Sequence, residues 1–130
     1  MKKLIVAVVV AMLCVGCVPK VETVNLIEGA DKVRVFRKSD PPASCVEIKP
    51  FSVVTGSGCG ALGSIGGFEA SYNLFRNNIV QMSGNAGLIQ NEVPPHSQPY
   101  GNPMGGPCFV NAYLINGVAY KCPVSVLTAQ

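Results

Sequence analysis

The first apolar run of the chain, Leu4 to Leu13, is unbroken and stands directly behind Lys2 and Lys3. From Lys32 to Arg37 the pattern alternates, with Val33 and Val35 on one side and Lys32 and Arg34 on the other, as a half-buried strand requires. Asp40-Pro41-Pro42 ends it. A second strand is predicted from about Cys45 to Thr55, and Pro50 within it favours an edge position or a bulge. Gly56 to Gly67 then reads as a glycine-rich loop. Beyond it the period lengthens: Phe68, Tyr72, Phe75, Ile79 and Met82 recur at spacings of four, three, four and three. That stripe predicts a helix with Asn73, Arg76, Asn77 and Gln81 on its other surface. Gly84 supplies the expected left-handed stop.

A further strand is predicted over Ala86 to Val93, followed by a proline-rich loop from Pro94 to Pro107. The last element reads as a hairpin. Cys108–Ile115 and Val118–Cys122 flank Asn116-Gly117, the dipeptide that two-residue turns favour. Such a turn sets Ile115 opposite Val118 and puts Cys108 and Cys122 on opposite faces, where they cannot bond to each other. The elements sum to an α+β fold: a mostly antiparallel sheet of four to five strands with one helix on one face.

A cationic start, an apolar stretch of about ten residues and a small-residue processing site describe a secretory signal. The run is well short of the roughly 20 residues that span a bilayer. The site Cys14-Val15-Gly16-Cys17 resembles the bacterial lipobox, so residues 1–16 are expected to be cleaved and Cys17 to be acylated. Residues 17–30 then form an acylated start and tether, 31–124 the folded domain and 125–130 a tail. Thirteen residues of tether, 18–30, reach up to about 40 Å when extended. Val18 is not the Asp that commonly retains such proteins at the inner membrane, so outer-membrane delivery is expected, with the domain facing the periplasm.

Removing the signal leaves 114 residues, with eight basic against seven acidic, so the net charge of +3 belongs mostly to the leader. Nucleic-acid binding has no electrostatic support. The cluster Arg34, Arg37 and Lys38 reads as charge on an exposed strand edge.

Four cysteines remain, Cys45, Cys59, Cys108 and Cys122. An even count in an exported chain reads as two disulfides. Zinc sites need paired short spacings that are missing here. A cysteine nucleophile needs a base, and the lone His96 sits in the proline-rich loop. With Cys108–Cys122 set aside, Cys45–Cys122 with Cys59–Cys108 and Cys45–Cys108 with Cys59–Cys122 both stay open. Gly58 to Gly63 formally spells G-x-G-x-x-G, but no βαβ repeat and no acidic residue about 20 positions on accompany it. A loop pinned by Cys59 is the better account.

Four stretches in order, Gly29 to Val35, Ser44-Cys45, Leu74-Phe75-Arg76-Asn77 with Gly84-Asn85, and Gly117 to Pro123, resemble a family of small bacterial lipoproteins with a domain of unknown function. The plan is similar to that of the outer-membrane stress sensor RcsF. The resemblance covers residues 29–123 and implies Cys45–Cys122 as the shared bridge, which leaves Cys59–Cys108 as an added one. The family's usual small residue after Asn77 is replaced here by Ile79-Val80. No catalytic, cofactor or metal residues are expected. The expected role is a non-enzymatic domain anchored in the membrane by N-terminal acyl chains and binding another envelope protein. A purely structural lipoprotein is the alternative, and seven scattered acids with one histidine make an enzyme the weakest reading.

Overall fold

A computed structural model of the chain describes residues 20–60, 63–99 and 105–128. The leader, Cys17 and Val18 lie outside the described residues. In chain order the elements are β1 (Lys20–Val21), a 3₁₀ turn (Ala30–Lys32), β2 (Arg34–Phe36), β3 (Val46–Thr55), β4 (Ser64–Ile65), α1 (Phe68–Gln81), β5 (Ala86–Val93), β6 (His96–Gln98), β7 (Cys108–Val110), β8 (Tyr113–Lys121) and α2 (Val124–Thr128). The fold is α+β. Four strands form the main sheet in the order β2-β5-β8-β3, with β2 parallel to β5 and the other pairs antiparallel. Two short two-stranded sheets, β1 with β4 and β6 with β7, flank it.

The sheet is mixed because β2 runs parallel to β5, with Val35 opposite Gly87. Its long edge is β3, which accommodates Pro50 and a bulge between Glu47 and Lys49. A proline has no N–H to give to a ladder, so an edge strand is where it belongs. Helix α1 lies on one face. Phe75 and Ile79 are fully buried there, packed with Val33, Val53, Ile89, Ile115 and Ala119. The Phe75 ring stacks on Phe51 at a centroid distance of 4.8 Å. Ser71 and Thr55, both buried, satisfy one another across the helix–sheet interface at 2.5 Å.

The terminal hairpin does not form. Residues Tyr113–Lys121 make one continuous strand running through Asn116-Gly117, and that strand is central, flanked by β3 and β5. A two-residue hairpin turn needs positive φ at its central positions. Neither Asn116 nor Gly117 has it. Gly117 is small for a different reason: an added Cβ would collide with the Leu88 carbonyl and lie 2.6 Å from the Phe75 ring. The faces derived from the hairpin therefore fall away. Cys108 lies in β7, in one of the small sheets, whereas Cys122 directly follows β8 of the main sheet. The bonds are Cys45–Cys122 and Cys59–Cys108, the pairing that the resemblance implied.

The helix stop also differs in detail. Ser83, not Gly84, holds the left-handed conformation, with φ of 60°. Its N–H donates to the Val80 carbonyl and that of Gly84 donates to Ile79, which closes a Schellman motif. Gly84 is needed for space, since a Cβ there would lie 2.9 Å from the Tyr120 carbonyl. Ser83→Gly should therefore stabilise the protein by about 0.5–1 kcal/mol, read as a higher urea midpoint with unchanged slope. A lower midpoint would show that the serine side chain contributes more than its backbone conformation costs.

The strand expected at Lys32–Arg37 is shortened to Arg34–Phe36, because Ala30–Lys32 coils into a 3₁₀ turn with Ala30 fully buried. The loop from Pro94 contains β6, paired with β7. The last residues, read as a tail, include α2, where the Val126 carbonyl accepts from the Arg34 guanidinium at 2.8 Å.

Candidate functional site

The segment expected to be a free tether is instead folded onto the domain from Lys20 onward. Lys20 and Val21 pair in parallel with Ser64 and Ile65, and the Glu22 N–H donates to the Ile65 carbonyl at 2.9 Å. The Glu22 carboxylate accepts from the Gly56 N–H at 2.5 Å, bracing the start of the glycine loop. The chain then runs along α1. Asn73 donates to the Val24 carbonyl at 2.9 Å, Asn77 donates to the Asn25 carbonyl at 2.8 Å, and Asn77 accepts from the Ile27 N–H at 3.0 Å. Two asparagines one helical turn apart thus supply the polar partners that a sheet neighbour would otherwise give to this extended stretch. Asn77 is buried as a result. Helical periodicity had placed both on the open surface, because a polar residue under a covering strand looks the same in a helical projection as one in water. Val21, Glu22, Asn25, Gly67, Glu69 and Asn73 line a cleft of about 290 Å³ between this segment and the helix start.

The glycine loop forms a second unit with β6 and β7. Cys59 bonds Cys108 and bridges Val110. The buried Asn111 sits at its centre, donating from its side chain to the Gly60 carbonyl at 2.6 Å and the Ser57 carbonyl at 3.3 Å. Its own carbonyl accepts from the Gly66 N–H. The glycines permit backbone to lie on backbone: a Cβ at Gly63 would overlap the Ser57 carbonyl, and one at Gly66 the Thr55 carbonyl. The loop's carbonyls thus accept from Asn111, and the loop closes on itself through the Ser57–Ser64 bridge. Ala61 and Leu62 of the G-x-G-x-x-G pattern lie outside the described residues.

Arginines and aromatic rings meet at the start of α1. The Arg37 guanidinium lies 4.9 Å from the Phe68 ring centre and 5.6 Å from that of Tyr72, and the Arg76 guanidinium lies 5.5 Å from the Tyr72 ring centre. Arg37 also pairs with Glu92 at 3.2 Å. Such stacking suits the planar guanidinium. Burial, with help from Glu92, raises the Tyr113 hydroxyl above its ordinary value, and Arg37 opposes the shift. Tyr120 is raised as well, by burial first and then by Glu47 and Asp40. The charge cluster of the sequence is therefore an edge, as read, but Arg34 and Arg37 are both engaged there rather than simply solvated.

Cys45–Cys122 ties the start of β3 to the end of β8, where Val46 and Lys121 are already ladder partners. Asn85 reinforces the same corner, its side chain accepting from the Cys122 N–H at 2.7 Å and donating to the Cys122 carbonyl at 2.8 Å. The His96 ring engages the Pro94 carbonyl and Gln98. Among the described residues, no three His, Cys, Asp or Glu side chains gather as a metal site. No protein-family model matches the chain, and neither a curated protein nor a solved structure is found to match it.

Proposed function

We propose that this chain is a lipid-anchored protein of the cell envelope, delivered to the outer membrane, with a non-catalytic domain that binds another envelope protein. The observation that carries the reading is the join between Lys2-Lys3, the apolar run and Val15-Gly16-Cys17. The two disulfides support it, because such bonds persist in oxidising compartments and are rare in reducing ones. The likeness of residues 29–123 to small bacterial lipoproteins points the same way. The reading as a binding rather than a catalytic domain rests on the titratable groups: the single histidine is hydrogen-bonded locally, and Glu22 and Glu92 serve as structural braces.

Mass spectrometry of the unreduced protein from its native membrane tests this directly. The expected product lacks residues 1–16 and carries acyl groups on the first residue, Cys17. A product that retains its initial methionine, or has an unmodified thiol at Cys17, overturns the anchoring. Crosslinking in intact cells then tests the binding role, with a reproducible partner as the expected outcome. A deletion strain with a leaky envelope and no crosslinked partner would favour the purely structural alternative.

A further inference from the structure

We propose that the folded domain lies directly against the lipid surface, with the end formed by β1 and the start of α1 turned toward the headgroups. The inference rests on acylation of Cys17 and adds to it an orientation and a contact face. The argument is covalent reach. Because Lys20 is already paired with Ser64, only three Cα steps separate it from Cys17, a span of at most about 10 Å. That is close to the thickness of one headgroup layer, about 5–8 Å. A free tether over residues 18–30 would have allowed about 40 Å and complete separation. The asparagine pair on α1 and the Glu22 brace remove that freedom.

The face this brings to the lipid is suited to it. Val21 is 67% exposed and lines the same cleft as Gly67, the residue before Phe68, which is itself 47% exposed. Lys20 is exposed at the anchored end, and Arg37 lies stacked on the Phe68 ring. A cation near an anionic surface is attracted to it. The Glu22 carboxylate is held back on Gly56, whereas Glu69 is an exposed acid on this end. Charge therefore does not drive the contact. The short leash does, and two apolar side chains among cations make it tolerable.

The chain has no tryptophan, so single reporters can be placed. Phe68→Trp marks the anchored end. Ile48→Trp marks the far end, since Ile48 approaches Gly84 just past the opposite end of a fourteen-residue helix, about 20 Å away. Each acylated full-length variant would be placed in phosphatidylethanolamine–phosphatidylglycerol vesicles carrying brominated acyl chains. Quenching at position 68 should exceed that at position 48 by about twofold or more. Inserting twelve Gly/Ser residues between Val18 and Pro19, worth about 20 Å of mean reach, should abolish the difference. Neutron reflectometry on the unsubstituted protein should show no water-filled gap between domain and bilayer. Equal quenching at the two positions, no effect of the insertion, or a hydrated gap would each overturn the orientation while leaving the anchor standing. An unacylated mass in the same samples would instead remove the anchor, and the orientation with it.

Discussion

Phe75→Ala should cost about 3–5 kcal/mol and bring the protein to the edge of unfolding at room temperature. The ring is fully buried and stacked on Phe51, and its edge lies over Gly87 and Gly117 on the neighbouring strands β5 and β8. Those two glycines form a shallow trough that the Phe75 ring fills, with Ile79 sharing the Gly87 end. Truncation at Phe75 empties the Gly117 end, and the two strands cannot close into it without breaking their own ladder. Urea denaturation gives the measurement. A loss below about 1 kcal/mol would mean that the helix is held chiefly by its polar contacts with residues 24–27 and not by the ring. Filling the trough from the other side with Gly117→Val should also be severe, because the new side chain meets backbone as well as ring.

Removing the two disulfides should produce losses of similar size but different kind. Their sequence separations, 77 and 49 residues, correspond to about 4 kcal/mol each in the chain-entropy account. Cys45–Cys122 joins strands of the main sheet, so Cys45→Ala with Cys122→Ala should lower the single cooperative midpoint of the whole domain. Cys59–Cys108 holds the glycine loop against β7, in a two-stranded ribbon that is marginal alone. Cys59→Ala with Cys108→Ala should therefore release residues 56–60, 96–99 and 105–111 first. Hydrogen exchange would show rapid labelling there while β5 and β8 stay protected. Uniform acceleration across all strands would mean that the ribbon and the sheet open together.

How much of this was legible from the residues alone varies by element. Helix α1 and strand β5 were clear, because each buries one continuous stripe or run and is bounded by glycine or proline. The chemistry of Asn116-Gly117 misled, since a glycine that makes room for a ring is indistinguishable in sequence from one that makes a turn. The neighbouring apolar residues Ile115, Val118 and Ala119 are all buried, as suits a strand flanked on both sides by other strands and covered by α1 on one face. The disulfide partners needed the resemblance, because pattern reasoning excluded one pairing for a reason the structure removes. Least legible was the N-terminal segment. Its ordering depends on Asn73 and Asn77, whose spacing of four was visible but whose covering segment was not. Asn111 was missed for the same reason, since nothing local marks an asparagine that satisfies a loop brought to it from fifty residues away.

The position of β8 has a consequence for how the molecule comes into being. Of the four strands of the main sheet it comes last in sequence and is one of the two interior ones, so β3 and β5 have no partner for most of their hydrogen bonds until residues 113–121 are available. Before then α1 and the short β2–β5 pairing can form, but β3 has no neighbour in the main sheet. The main sheet is therefore completed by residues 113–121, which among the described residues supply the ladder that joins β3 to the rest of it.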